Sequence, residues 1–589
     1  MPQQTSLINV ILLAAGGFFM FVCMDSTAKY LGTVMPVTQA IWGRFFFHLV
    51  SLIIFFLIFK PKVNLKKNFK VQIIRSILMV TATSFMFYSL QKFDLVDIYV
   101  VFFTAPLIVS LLSAYFLVIR SGVSDASSRV RDREAFASVA LGWIPVVIVG
   151  AMPFWFGGMF HGPFANYWIN GEESSLDQMM YGILHSWFES MSGFTTTGAS
   201  LVDQSTSPVC SGEFERDCLG SQRKSLILWR SISQWIGGMG VIMLGLLIFS
   251  RALGGGMALA RAELTGPSVS NLGTTLESTA RKLWGIYVGL TLLQAALLLQ
   301  FTKMGAFDSI NYALTTMPSG GFGTTDEGIM HFDDVLIESI IMVFMLLTCI
   351  NFSLLYFAFS GRSNEIWKDE ELRTYLLIIF IAMFAMSVNI YRTDSLDYGL
   401  FESIRHSSFQ AISISSTGYS SSDFSNWPVF SQFVLLLLMI VGASAGSTGG
   451  GLKVLRIRIA FELAKREVMK IIQPRKVVAI RFNGSVVDEQ RVWIILGMVS
   501  SWMVLVTASM LTISFLEPSL SMKDVLSVSI SLLGNTGPAL GDFGPEGAAA
   551  TWAGMSVPSL LASTILMWLG RLELLTVLVL LHPRTWESD

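Results

Sequence analysis

The chain has 589 residues, of which 53% are hydrophobic and 14% charged, with a mean hydropathy of +0.61. A soluble domain carries nearer a quarter charged residues, so the composition excludes an ordinary soluble protein. The formal net charge of -1 gives no sign of a nucleic-acid or polyanion binder, and the six scattered histidines and four cysteines form no metal-ligand or catalytic-triad pattern.

Apolar stretches of about 20 residues recur along the whole length, each long enough to cross a bilayer as a helix. The first four lie near 7–24, 38–59, 72–90 and 97–119. The earliest lacks a basic leader and a small-residue cleavage site, so it is read as an uncleaved helix and not a signal peptide. Lys60, Lys62, Lys66, Lys67 and Lys70 separate the second from the third. The positive-inside rule puts that loop in the cytoplasm, with the N-terminus also inside and the chain back inside at Arg120. A polar linker, 120–134, follows.

Beyond the linker one pattern repeats four times: a long apolar helix, a shorter semi-apolar segment, a Gly/Ser/Thr tract, then another long apolar helix. The units occupy about 135–250, 280–361, 372–458 and 490–582. Their first helices lie near 137–158, 283–302, 374–391 and 492–516, and their second near 226–250, 334–360, 430–457 and 555–581. The short segments, about 178–193, 307–317, 399–413 and 523–533, read as pore helices. The tracts are Thr195-Thr196-Thr197-Gly198-Ala199-Ser200, Pro318-Ser319-Gly320-Gly321-Phe322-Gly323, Ser415-Ser416-Thr417-Gly418-Tyr419-Ser420 and Gly534-Asn535-Thr536-Gly537-Pro538. The expected fold is therefore all-α and integral to the membrane, with four pseudo-repeated units around a central pore and about four extra transmembrane helices ahead of them.

Charge gives the units one orientation. The connector 453–491 carries ten Lys or Arg against four Asp or Glu, and Arg251, Arg261, Arg281 and Lys282 lie between the first two units. The segments after the tracts are acidic, with Asp326, Glu327, Asp333, Asp334, Asp542 and Glu546. The connectors therefore face the cytoplasm and the tracts enter from outside. Non-helical backbone at membrane depth must be buried in protein or line water. Small residues also mediate close helix packing, but four tracts at matching places favour a shared aqueous axis. A dehydrating cation needs a ring of oxygens, which backbone carbonyls supply without a full charge. Glycine permits the backbone angles this requires.

Two further features stand out. The second long helix of the third unit is interrupted by Gly442-Ala443-Ser444-Ala445-Gly446-Ser447-Thr448-Gly449-Gly450-Gly451. This is no phosphate loop, because Lys453 does not directly follow the last glycine and no Ser or Thr follows it. Arg571 lies amid apolar residues, so it must face water or pair with a carboxylate on another helix; Glu573 is too near in sequence to share its helix face. Cys210 and Cys218 share a polar outer loop, where they form a disulfide or remain two thiols. Cys23 and Cys349 read as packing residues.

At Ser192-Gly193-Phe194-Thr195-Thr196-Thr197-Gly198, Trp235-Ile236-Gly237-Gly238-Met239-Gly240, Ala445-Gly446-Ser447-Thr448-Gly449-Gly450-Gly451 and Gly570-Arg571-Leu572-Glu573, the chain resembles the Trk/Ktr/HKT potassium-transporter superfamily, TrkH type. The resemblance covers about 135–589 and implies potassium uptake across the bacterial cytoplasmic (inner) membrane. It implies a selectivity filter with one glycine per unit, Gly198, Gly321, Gly418 and Gly537. Potassium sites would be lined by Thr196 and Thr197, Ser319 and Gly320, Ser416 and Thr417, and Asn535 and Thr536. Glycine at 198, where some members with serine favour Na+, points to K+. An intramembrane gate would comprise Ala445, Gly446, Ser447, Thr448 and Gly449 with Arg571. Also implied are a homodimer and cytoplasmic nucleotide-binding regulatory subunits (TrkA-like) on the basic connector, with no cofactor or nucleotide site in this chain.

The N-terminal part, about 7–118, is similar instead to EamA-type drug/metabolite transporters. The likeness rests on Met24-Asp25-Ser26-Thr27-Ala28-Lys29-Tyr30, Arg44-Phe45-Phe46, Phe87-Tyr88-Ser89-Leu90 and Phe102-Phe103-Thr104-Ala105-Pro106-Leu107. Such transporters pair two inverted halves of about ten helices in all, and this module, taken as 1–119, has about four. The expected function is potassium uptake with no covalent chemistry. The alternatives are a metabolite exporter using the N-terminal helices and a Na+-permeable member of the same superfamily.

Overall fold

The computed structural model describes residues 39 and 41–46, six positions between 81 and 89, 132–163, 175–210, 217–240, 276–541 apart from three single positions, and 551–572. The expected first four helices as whole elements, Cys23, Arg251, Arg261, Asp542, Glu546 and Glu573 lie outside the described residues. The chain divides into two compact units, Met1–Ile108 and Val109–Asp589. The second contains the elements below.

Four successions of long helix, short helix and non-helical tract are described in it. The long helices are α1 (Asp132–Gly157), α4 (Leu276–Phe301), α8 (Glu370–Tyr391) and α12 (Glu489–Leu516). The short ones are α2 (Leu176–Phe194), α5 (Ala306–Thr316), α9 (Leu400–Ile414) and α13 (Met522–Gly534). After the tracts come α3 (Lys224–Trp235), α6 (Val335–Cys349) with α7 (Phe352–Phe359), α10 (Val429–Val441) with α11 (Val454–Ile472), and α14 (Val557–Arg571). Among the described residues, Arg281–Phe301 of α4, all of α8 and all of α12 are each long and apolar enough to cross a bilayer.

Local chemistry sets where the short helices begin. Ser175 Oγ accepts from Gln178 N while Gln178 Oε1 accepts from Ser175 N, and Ser521 and Asp524 repeat that box at α13. At α9 only the return bond exists, from Gly399 N to Glu402 Oε2. Each short helix packs on the long helix before it, and also on a helix from the neighbouring succession: α3 on α5, α6 on α9, α10 on α13, and α14 back on α2. The last pairing closes the circuit. Apolar contacts fill the joints, as where Tyr287, Leu290, Met317, Phe344 and Phe352 cluster between α4, α6 and α7.

The first two helices after the tracts depart from the expected uninterrupted spans, and the third breaks at the expected glycine-rich interruption. α3 passes into a π-turn, Ile236–Gly240. The second succession bends by 106° between α6 and α7. There Ile350 is extended, Asn351 accepts from Ser353 N to start α7, and Phe352 N donates to the Gly446 carbonyl. α10 has 13 residues, or about 20 Å of helix. That is short of the ~30 Å hydrocarbon core, and the chain continues through the non-helical stretch 442–453 before α11.

Candidate functional site

The four short helices end by turning their last carbonyls onto the tracts. Thr197 N donates to Ser192 O, Gly320 N to Thr315 O, Gly418 N to Ser413 O and Thr536 N to Ser531 O, all at 2.8–3.1 Å. The tract amides are thus consumed by their own helices. One glycine of each tract takes positive φ: 87° at Gly198, 81° at Gly321, 89° at Gly418 and 90° at Gly537. These are left-handed angles that a side chain disfavours.

Each of those glycines is also pressed against a carbonyl of the next tract. A Cβ on Gly198 would overlap the Gly320 oxygen, one on Gly321 the Thr417 oxygen, one on Gly418 the Thr536 oxygen, and one on Gly537 the Thr197 oxygen. The oxygens belong in every case to the residue before the glycine, and the series returns to its start. The four tracts therefore form one closed ring of corresponding atoms. All four glycines line one cavity of about 150 Å³, with Asp326 and Tyr419 among its other walls.

The ring is braced between tracts. Gln234 Nε2 donates to Gly320 O at 2.7 Å, and Gln234 Oε1 accepts from Phe322 N at 3.2 Å. Tyr419 Oη lies 2.6 Å from Thr315 Oγ1, and Asn535 Nδ2 donates to Thr197 Oγ1 at 2.8 Å. Thr196, Ser319 and Asn535 hold positive φ of 54°, 59° and 51°. Ser416, the corresponding residue of the third tract, does not hold a positive φ, so the ring is not strictly fourfold.

A buried ion pair fixes the C-terminal ends of two tracts. Arg230 Nε lies 2.5 Å from Glu189 Oε1, and both side chains are almost wholly buried. Glu189 also accepts from Ser200 Oγ and Leu201 N at the end of the first tract, while Arg230 Nη1 donates to Gly323 O at the end of the second. The Arg230 guanidinium stands 3.4 Å from the Phe322 ring centroid. Removing either charge leaves the other buried without compensation. Cys210 and Cys218 are joined as a disulfide. That loop donates Cys218 N and Leu219 N to the Asp326 carboxylate at 2.6 and 2.9 Å. Burial pushes the Asp326 carboxyl above its usual range, against the pull of those two amides.

On another side of the ring lies the stretch 442–453. Thr448 Oγ1 is 2.9 Å from Ser319 Oγ, Gly451 N donates to Gly534 O, and a Cβ on Gly450 would overlap that same oxygen. Glu371, buried at the start of α8, accepts from Ala445 N at 2.7 Å and from Leu455 N at 3.0 Å, pinning both ends of the stretch. Lys453 Nζ bonds the Gly449 carbonyl. At the end of α14 the Arg571 guanidinium donates to Thr448 O at 3.1 Å, Gly237 O at 3.0 Å and Gly238 O at 2.7 Å. The glycines beside it permit close approach. A Cβ on Gly237 would strike the Phe194 carbonyl, and one on Gly570 the Leu533 carbonyl.

All the tract residues singled out in the sequence thus meet in one ring, with Thr448, Gly449 and Arg571 close by. Ser447 bonds only within its loop, to Ser444 O. Ala445 and Gly446 touch Glu371 and Phe352 instead of the ring. Sequence reading missed Glu189, Arg230, Gln234 and Glu371. Gln234 carries a signal nonetheless, a glutamine directly before Trp235 in an otherwise apolar motif.

Residues 162–588 match the TrkH family of cation transport proteins, and residues 8–126 match the EamA-like transporter family. The chain is 32% identical over 466 residues to the Trk system potassium uptake protein TrkH of Escherichia coli K12, covering 78% of this chain and 87% of that protein. It is 31% identical to the protein of the same name from Halomonas elongata, covering 79% and 88%. The crystal structure of the potassium transporter TrkH from Vibrio parahaemolyticus superposes with a TM-score of 0.65 at 27% identity, over 84% of this chain and 97% of that one. By sequence and by fold, the chain belongs to the TrkH family of cation transport proteins, membrane transporters and not enzymes.

Proposed function

We propose that this protein takes up potassium across the bacterial cytoplasmic membrane through a pore whose selectivity filter is the ring of four tracts. The observation that carries the reading is the closure of that ring by corresponding atoms of four successive units. The potassium uptake named for its relatives supports it. Ion sites are formed by Thr196, Thr197 and Gly198, by Ser319, Gly320 and Gly321, by Ser416, Thr417 and Gly418, and by Asn535, Thr536 and Gly537. A dehydrated K+ exchanges its water for their oxygens. α2, α5, α9 and α13 aim their C-terminal ends at the ring and favour a cation there. The Gly320 oxygen already holds the Gln234 amide, so the second unit contributes a weaker acceptor than the other three.

The stretch 442–453 is the gate in this reading. Residues 445–449 and Arg571 obstruct the path beneath the ring, where the arginine adds a positive charge against passing cations. The tracts open to the outside, and the basic connector 453–491 faces the cytoplasm. There it docks nucleotide-binding regulatory subunits (TrkA-like) under a homodimer of this chain. Division of labour follows the chain: 135–589 conducts, 120–134 links, and 1–119 is an accessory module. Rubidium uptake and growth of a bacterium lacking its own K+ systems test the reading. Expression that restores neither would refute it.

The match of 8–126 to EamA-like transporters favours one second reading, metabolite export by the N-terminal helices. Export that persists after the tract glycines are substituted would select it.

A further inference from the structure

Thr448 is the point at which the loop reaches into the ring. Its hydroxyl is buried, 2.9 Å from Ser319 Oγ, and donates to the Met317 carbonyl at 3.1 Å. Ser416 Oγ donates to Ser319 Oγ at 3.1 Å. Each hydroxyl has one proton, and these contacts admit a single-direction chain: Ser416 to Ser319, Ser319 to Thr448, Thr448 to Met317 O. Two of its members are tract residues of different units, the third belongs to the loop, and the last acceptor caps the C-terminus of α5.

Ser319 is also where support matters most. It holds φ of 59° without being glycine and is almost fully buried. A left-handed residue of this kind persists only when its surroundings over-determine it. The Ser319 hydroxyl has a second, longer acceptor for the same proton in Thr348 Oγ1 at 3.2 Å, and Thr348 lies on α6 outside the loop.

We propose that Thr448 is a positioning residue for ion selectivity, coupling the seating of the loop to the ion affinity of the second and third tracts. The proposal rests on the tracts being a filter and the loop a gate. With the loop seated, Thr448 accepts from Ser319 and holds the Met317 carbonyl, fixing the turn from α5 into Ser319-Gly320-Gly321. When the loop leaves, both bonds are lost together and the turn relaxes. K+ that prefers the fixed turn therefore favours the seated loop by the same factor as the loop favours K+. One buried neutral hydrogen bond sets the size, between about twofold and tenfold.

Thr448→Val keeps the shape and removes the hydroxyl. Thr448 N to Thr348 O and Gly451 N to Gly534 O remain to hold the loop backbone. The purified full-length chain, its Thr448→Val, Thr448→Ser and Ser319→Ala variants and the Val/Ala double variant would be unfolded thermally across K+ and Na+ titrations. Each would then be assayed for K+ and Na+ flux in liposomes. Binding to the folded state alone reads out as stabilisation. Thr448→Val is expected to raise the K+ concentration for half-stabilisation by about twofold to tenfold and to lower the K+/Na+ flux ratio in step. Thr448→Ser should restore both, and the double variant should show less than the sum of the single shifts. Raised flux at the parent's K+ midpoint and flux ratio would mean that the loop only obstructs, which overturns the coupling and leaves the pore standing. Failure of Thr448→Ser to restore the midpoint overturns it as well. A parent chain without K+-specific stabilisation or flux refutes the filter itself.

Discussion

Serine at position 198 would place a Cβ against the Gly320 carbonyl and hold an L residue at a φ of 87°. The left-handed angle alone costs about 1–2 kcal/mol, and the carbonyl must turn or the ring must widen. Gly198→Ser is therefore expected to lower the K+/Na+ permeability ratio by about tenfold, at ~1.4 kcal/mol per factor of ten, with the helical content intact. Permeability ratios in liposomes, beside circular dichroism, check this; an unchanged ratio in folded protein removes Gly198 from the filter. In the proposed gate, Arg571 opposes cations through its charge. At ~8 Å in an effective dielectric of about 20, a unit charge opposes a cation by ~2 kcal/mol, so Arg571→Ala should raise flux at least about tenfold. Arg571 was legible because an arginine among Leu, Met and Trp breaks its surroundings, whereas its three backbone carbonyl acceptors lie on segments far from it in sequence. Glu189 and Arg230 were not legible. They stand 41 residues apart, each in a segment with other polar residues, and only the packing of α2 against α3 joins them. Glu189→Gln should destabilise the fold by about 3–5 kcal/mol, read as a lowered midpoint of thermal unfolding.

Among the elements, α10 and the stretch after it show how glycine exposes irregular backbone to a sequence reader. Nine apolar residues in a row followed by five glycines within ten positions foretold where the helix stops. The 106° bend between α6 and α7 gave no such sign, because Cys349-Ile350-Asn351-Phe352 contains neither Gly nor Pro. Its cause is tertiary: the Phe352 amide is taken by Gly446 O of the loop, and the Ser444 amide by Cys349 O in return. The bend and the loop thus secure each other, and Glu371 clamps the loop from α8. Removing residues 445–449 is expected to raise K+ flux in liposomes. Glu371→Ala, which strips the acceptor from Ala445 N and Leu455 N, should do the same at about tenfold, since bonds to a carboxylate contribute ~1.5–3 kcal/mol each. Flux at or below the parent level in both variants, with normal assembly, would show that the loop is no barrier.

At the level of the whole molecule, every tract and the loop lie after the linker, within the unit Val109–Asp589. A chain beginning near Ser121 keeps Arg129, Arg131 and Arg133 beside the next helix, so its orientation should survive. It is expected to sustain K+ uptake in a deficient bacterium, and residues 1–119 alone should export no metabolite. A shortened chain that inserts and dimerises but passes no K+ would make the N-terminal helices part of the conduction path. The alternation of long helices, short helices and tracts was legible from the sequence, since hydropathy marks long helices and glycine marks tracts. The contact of α14 with α2 that joins the last succession to the first was not, because it links segments more than 350 residues apart. That closure has a genetic consequence. Where four separate copies make a ring, an equal mixture of sound and disabled copies leaves only about one ring in sixteen wholly sound. Here one polypeptide supplies all four quarters, so the same mixture leaves about half the rings sound. A disabled allele of this gene, expressed beside the normal one, should therefore reduce uptake in simple proportion to its dose and poison nothing.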